Sequence, residues 1–210
     1  MRRIVVGLVL GFAVAGLTAV PVAAQIAAGP ADAAAAGQFI STLADKTFSV
    51  LKENQSKAAI KTKFRTMLKA NFAVDAAGMK LIRRYRNQIT PAQLSAYQAV
   101  LPDYIVNTYA DRLINYSNAV VKIERTQAHG SNGAVDVFSR IGVPGRDTFA
   151  IIWQVERGAG GRWLIGNVTV SGVNMSLTQE ADFSGFIAKN GFDALIDMMK
   201  SVNGKSALSA

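Results

Sequence analysis

What most limits the folds open to this chain is a double switch in its hydrophobic period. Up to Asn118 the apolar residues recur every three or four positions, as on one face of a helix. From 119 to about 175 they alternate, as in a half-buried strand, and from 178 the helical spacing returns. The strands are contiguous in sequence and flanked by helices. That order predicts an α+β fold, with helices packed on a twisted antiparallel sheet of about four strands.

The first helical block divides at local signals. Residues 39–52 place Ile40, Leu43, Phe48 and Leu51 near a helical period, and residues 57–69 place Ile60, Phe64, Met67 and Leu68 on one side. A junction at 70–75 leads to a helix over 76–86 carrying Met79 and Ile82. In Thr90-Pro91-Ala92-Gln93, Thr90 can cap, Pro91 suits the first helical position and Gln93 can close a capping box. The helix that follows, about 91–116, carries Leu94, Tyr97, Leu101, Tyr104, Ile105 and Leu113 as its apolar stripe. Pro102 inside it predicts a bend or a break, since proline costs about 3 kcal/mol in a straight helix.

In the sheet block, Val121, Ile123 and Arg125 alternate with Lys122, Glu124 and Thr126. Further strands are predicted over 134–141, 148–157 and 162–173, with Phe149, Ile151, Trp153 and Val155 on one face. The cluster Gly158-Ala159-Gly160-Gly161 marks a turn between the last two. The closing helices carry Phe183, Phe186 and Ile187 and then, past Asn190-Gly191, Phe192, Leu195, Ile196 and Met199.

The N-terminus, Met1-Arg2-Arg3 followed by an apolar run to Val20 and then Pro21-Val22-Ala23-Ala24, has the form of a secretory signal cleaved after Ala24. The apolar run barely reaches spanning length, and no basic residue follows it to hold an anchor. The expected organisation is a signal peptide over 1–24, an Ala/Gly-rich leader over 25–37 and a single domain over 38–201. Within that domain, 38–116 is helical, 119–175 forms the sheet and 178–201 the closing helices; 202–210 is a frayed tail. Losing Arg2 and Arg3 lowers the formal charge of +9 to about +7. An exported basic chain faces anionic lipid or acidic partners rather than genomic nucleic acid.

Catalytic constellations are scarce. The chain has no cysteine, which excludes disulfide and thiol chemistry, and its one histidine excludes a zinc site of several imidazoles. That residue, His129, lies in a His-Gly-Ser-Asn-Gly turn, with neither a nucleophile nor an orienting carboxylate evident in the sequence. The glycines at 158–161 lead from strand to strand and offer no helix N-terminus to a phosphate. Asp193 and Asp197 read as a solvated helix face. No enzyme, cofactor or metal is expected.

One basic run does stand out: nine Lys or Arg between 57 and 86 against one acid, Asp75. It is either a solvated face or a docking surface for a membrane or an acidic partner, with Lys61, Arg65, Lys69, Arg83 and Arg84 as the docking candidates. Few aromatics interleave with these charges, which argues against a nucleic-acid groove. Helices on the concave side of a curved sheet can leave an apolar pocket able to take an acyl chain. Its expected lining is Phe48, Phe64, Leu68, Phe72, Leu101, Tyr104, Ile105, Tyr109, Phe149, Trp153, Ile165, Val173, Met175 and Phe183.

In order and spacing, four stretches within 37–201 resemble the periplasmic phospholipid-binding MlaC family, also called toluene-tolerance auxiliary components. They are Asn71-Phe72-Ala73-Val74-Asp75 before a helix; Tyr85 to Gln93, similar to the family's Tyr-x-x-x-x-Thr/Ser-Pro-x-Gln; Arg162 to Met175; and Thr178 to Phe183 with Asn190-Gly191-Phe192. The resemblance implies a non-enzymatic periplasmic shuttle that maintains outer-membrane lipid asymmetry. It would exchange phospholipid between an outer-membrane lipoprotein–porin complex and an inner-membrane ABC transporter with a hexameric substrate-binding ring. Within the resemblance, Arg83 stands where Gly is common and Glu180 where a basic residue is usual. Such departures also fit relatives found beside hopanoid-synthesis genes, whose cargo would be a polycyclic lipid.

Overall fold

The computed structural model describes residues 28–53, 56–114, 116–143, 145 and 148–208; the expected signal peptide lies outside them. Four helices come first: α1 (Pro30–Lys52), α2 (Lys57–Asn71), α3 (Val74–Leu81) and α4 (Pro91–Ile114). The strands follow as β1 (Val120–His129), β2 (Ala134–Gly142), β3 (Thr148–Arg157), β4 (Trp163–Val170) and β5 (Val173–Asn174). Helices α5 (Met175–Asn190) and α6 (Phe192–Leu208) complete the chain. The strands form one antiparallel meander in sequence order, so the fold is α+β, with five strands where about four were expected.

The capping box at Thr90 sets the start of α4 as the sequence predicts. Thr90 N–H donates to Gln93 Oε1 at 2.9 Å, and Gln93 N–H donates to Thr90 Oγ1 at 3.2 Å, a reciprocal capping box. Gly191, at φ 85°, ends α5 with its N–H on Ile187 O at 2.8 Å. Helix α4 runs unbroken through Pro102.

Besides the helix expected over 76–86, which runs instead from Val74 to Leu81 and gives way to turns, four expectations are corrected. First, α1 begins at Pro30, well before residue 38. Alanine is the best helix former, and the small side chains let this segment lie close on the sheet, with Ala36 fully buried. The closeness shows at Gly37, where a Cβ would sit 3.2 Å from Thr126 Cγ2. Second, β1 bulges at Glu124, because Ile123 pairs with Ser139 and Arg125 already with Phe138. Arg125 therefore turns to the outer face, its guanidinium 3.3 Å from the centroid of the Phe138 ring, and Thr126 takes the inner face opposite Val137. Third, the strand expected over 162–173 is a hairpin. Ser171 (φ 48°) and Gly172 (φ 84°) are both left-handed, the two-residue turn that suits strand twist. Fourth, α6 remains helical to Leu208, past the expected end at 201.

Helix α1 lies across β1 and β2, and α2 packs on α4. Helices α3 to α6 enclose a separate core of Ile82, Tyr97, Leu101, Phe183, Leu195 and Met199. Tyr97 is fully buried there, its ring edge-on to Phe183 at 6.4 Å, and its hydroxyl donates to Gly78 O at 3.0 Å. Burial pushes the phenol pKa far up, so Tyr97 stays a donor throughout the working pH range. Tyr97→Phe is expected to cost about 1–2 kcal/mol, the value of a buried hydrogen bond and its orphaned acceptor. A urea-unfolding midpoint equal to that of the unaltered protein would refute this.

The N-terminus of α1 is tied to the end of β3 by Arg157, whose Nη2 donates to Asp32 Oδ1 at 2.8 Å. That bond first, and the Gly29 backbone second, hold the Asp32 carboxyl below the usual 3.8. A depressed carboxyl pKa means the tie is present above the usual value and is lost as pH falls through the depressed one. Arg157→Ala should therefore raise the Asp32 titration midpoint toward 3.8, read from its side-chain carboxyl carbon shift. An unmoved midpoint would show that the bond is not the cause.

Candidate functional site

The inner face of the sheet carries Val135, Val137, Ser139 and Ile141 from β2, and Ile151, Trp153 and Val155 from β3. From β4 come Trp163, Ile165, Val168 and Val170. The change of parity between Ile165 and Val168 follows from a bulge at Gly166: Gln154 pairs with Asn167 and Val155 with Ile165. Trp153 stands near the centre of this face and is only half-buried. Its Nε1–H donates to Ser139 Oγ at 2.8 Å, and the buried Ser139 hydroxyl passes on a bond to Ile151 O at 3.3 Å. The indole is thereby held in one orientation.

Two further aromatics, from the helical layer, pack on the clusters that Trp153 joins. Phe72 sits at the α2–α3 junction, where Ala73 N–H donates to Ile165 O at 2.9 Å and Phe72 bridges to Ile165. The junction thus pins itself along the part of β4 that β5 does not pair. Phe72 packs both on the cluster under α1 and on the α1–α2–α4 cluster of Leu51, Ile60, Phe64, Leu68, Val106 and Ala110. Phe48 joins that second cluster to a third, around Ile141 and Ile151, which also takes in Phe149 and Trp153. Phe48, Phe72 and Trp153 therefore stand where three apolar clusters adjoin, all half-buried.

Of the fourteen expected lining residues, Phe48, Phe64, Leu68, Phe72, Ile105, Phe149, Trp153 and Ile165 are brought together in these three clusters. Leu101, Tyr104 and Phe183 belong to the α3–α6 core, with Ile105 packing on both sides. Tyr109 extends its hydroxyl to Gln179 Oε1 at 3.5 Å. Val173 is 52% exposed on β5, and Met175 joins none of the clusters. An uninterrupted strand would have put Ile165 and Val173 on one face; the bulge and the turn undo that parity. The same bulge hid Val168 and Val170 from the sequence reading. Val106 and Ala110, four apart on α4, were legible as a stripe but are smaller than the residues that drew attention.

Two hollows lie along α1. One, of about 700 Å³, separates α1 from α2; the other, of about 360 Å³, lies between α1 and β1. Neither is walled by any of the fourteen residues.

The basic run is not one uniform face. Lys61 is 5% exposed, because it shares the inward side of α2 with Phe64 and Leu68, three and seven positions on. Arg65 pairs with Asp103 of α4, while Lys69 is exposed. Arg83 Nε donates to Glu180 Oε1 at 2.7 Å, with Arg84 Nε 3.8 Å from the same oxygen. The two departures from the family pattern thus face each other. His129, for which the sequence showed no carboxylate partner, has one: its Nδ1 lies 2.8 Å from Asp136 Oδ2 across the β1–β2 hairpin. Among the described residues, no hydroxyl bonds to its ring and no group of three or more acidic or histidine side chains could hold a metal ion.

The family model described as MlaC protein matches residues 41–201. An intermembrane phospholipid transport system binding protein MlaC from Haemophilus influenzae is 27% identical over 164 residues, covering 75% of this chain and 77% of that protein. A toluene tolerance protein, ttg2D, from Pseudomonas putida is 24% identical over 123 residues, 57% of this chain and 56% of its own. A phospholipid-binding protein from Ralstonia solanacearum, solved in complex with a phospholipid, superposes with a TM-score of 0.70 at 22% identity. That match covers 82% of this chain and 98% of the other, and it shows a shared fold.

Ser139→Ala should leave the Trp153 indole N–H without its partner, at a cost of about 1–3 kcal/mol. The indole NH resonance of Trp153 should also shift and exchange faster. An unchanged resonance and stability would mean that Ser139 does not hold the ring.

Proposed function

The chain belongs to the MlaC family, and from that premise we propose that it is a lipid carrier, taking the acyl chains of a phospholipid between the sheet and its helices. The observation that carries this reading is that half-buried Phe48, Phe72 and Trp153 each join two of three apolar clusters between the sheet and its helices. Phe64, Leu68, Ile105, Phe149 and Ile165, which share these clusters, extend the same interior. The names of the Haemophilus and Ralstonia relatives, each tied to phospholipid, support the cargo. The signal peptide expected over 1–24 supports export to the periplasm.

The energetics suit a shuttle. Two tails of about 30 CH2 groups at about 0.8 kcal/mol each are worth about 24 kcal/mol relative to water. That exceeds the practical limit of about 18–21 kcal/mol for noncovalent binding. The relevant exchange is between pocket and bilayer, where the tails are already dry, so its net free energy can lie near zero. Transfer is then reversible. The headgroup stays at the solvent, and exposed Lys69, Arg83 and Arg84, with Arg65 beside its Asp103 partner, are the docking residues. Its partners are the inner-membrane ABC transporter and the outer-membrane lipoprotein–porin complex, between which the carrier maintains lipid asymmetry. The role is not catalytic.

Native mass spectrometry of protein purified from cell envelopes should show a bound diacyl phospholipid. Trp153→Ala should lower lipid capture from vesicles about tenfold or more with the fold retained. A polycyclic lipid in place of phospholipid would assign the chain to the hopanoid-associated relatives. Lipid-free protein that accepts no labelled lipid from vesicles would leave an envelope scaffold acting through its basic surface.

A further inference from the structure

The carrier reading leaves the hollow between α1 and α2 unused. Its floor is Phe39, Leu43, Val50 and Met67, all half-buried. Phe39 and Leu43 pack on the cluster that includes Phe72 and Trp153; Val50 and Met67 pack on the cluster that includes Phe48 and Phe64. One layer of side chains thus separates this surface hollow from the interior assigned to the tails. At about 700 Å³ it has the size of a small-molecule site, which is typically about 300–1,000 Å³.

The walls select the occupant. Both are helices, whose backbone groups are already paired, so they offer no edge along which a peptide could bond. A hydrocarbon tail needs none. The charged side chains in the wall are Lys46 and Lys63, both cationic. Lys63 is paired with exposed Glu53, and Lys46 makes no ion pair among the described residues.

We propose that this groove is the entry seat for a phospholipid with an anionic headgroup. One tail lies along Phe39, Leu43, Val50 and Met67, the phosphate sits between Lys46 and Lys63, and the tail passes inward as α1 and α2 part. The proposal rests on the lipid-carrier reading and adds the route and the headgroup charge to it.

The absence of cysteine makes a direct test possible. Exposed Thr42 and Thr66 face the hollow from α1 and α2. In the double variant Thr42→Cys/Thr66→Cys, a bis-maleimide added after folding ties the two helices together across it. Uptake of fluorescent phosphatidylglycerol from phosphatidylcholine–phosphatidylglycerol vesicles should slow at least tenfold on bridging, relative to the same protein capped at each cysteine with N-ethylmaleimide. Lys46→Glu/Lys63→Glu should slow uptake of phosphatidylglycerol while sparing fluorescent phosphatidylcholine. Equal rates for bridged and capped protein would overturn the entry route while leaving the carrier reading intact. Equal slowing of both lipids by the Lys variants would overturn the preference for a net-anionic headgroup. If the unaltered protein loads neither lipid, the carrier reading falls and takes the route with it.

Discussion

The bond from Trp153 to Ser139 marks the constraint on which the rest of the fold depends: the inner face of the sheet is wider than a helix can cover. Five strands at about 4.8 Å spacing span about 19 Å, whereas a helix with its side chains is about 10–12 Å across. Helix α1 lies over β1 and β2, so β3 and β4 must find other cover. They find it in Phe72, pinned to Ile165, and in Phe48 from the later turns of α1. Ser139 keeps the largest side chain of this zone upright. A filled core would bury it fully; here it stays half-buried, as do Phe48 and Phe72.

The helical layer is divided in a way that suits opening. The core of α3 to α6 is built on its own residues, among them Tyr97, Phe183 and Leu195. Val74 and Ile105 alone among the clustered side chains described pack on both this core and the α1–α2–α4 cluster. Movement of α1 against α2 therefore disturbs contacts around Phe48 and Phe72 while leaving the second core intact. A carrier needs such a division, because its interior must open and close without unfolding. The Arg157–Asp32 tie fastens the N-terminal end of α1 to β3.

Much of this was legible in the sequence. The switch of period at Asn118 located the sheet, the capping box at Thr90 located α4, and β3 falls on the predicted residues. What was not legible depended on single residues that change parity. A bulge at Glu124 turned Arg125 outward, and one at Gly166 moved the inner face from odd to even positions. Alternation patterns carry no mark of an inserted residue, so Val168 was missed and Val173 misplaced. Lys61 went inward because α2 places it with Phe64 and Leu68, and a charge count ignores helix direction. The His129–Asp136 and Arg83–Glu180 pairs needed the fold to bring them together.

The central claim is that acyl tails lie against Trp153, and the two tryptophans of the chain make this measurable. In a Trp163→Phe background, Trp153 is the one indole left to report. Loading with phospholipid brominated along its tails should strongly quench this fluorescence, while unbrominated lipid should shift the emission to the blue. Bound brominated lipid that leaves Trp153 unquenched would contradict the account.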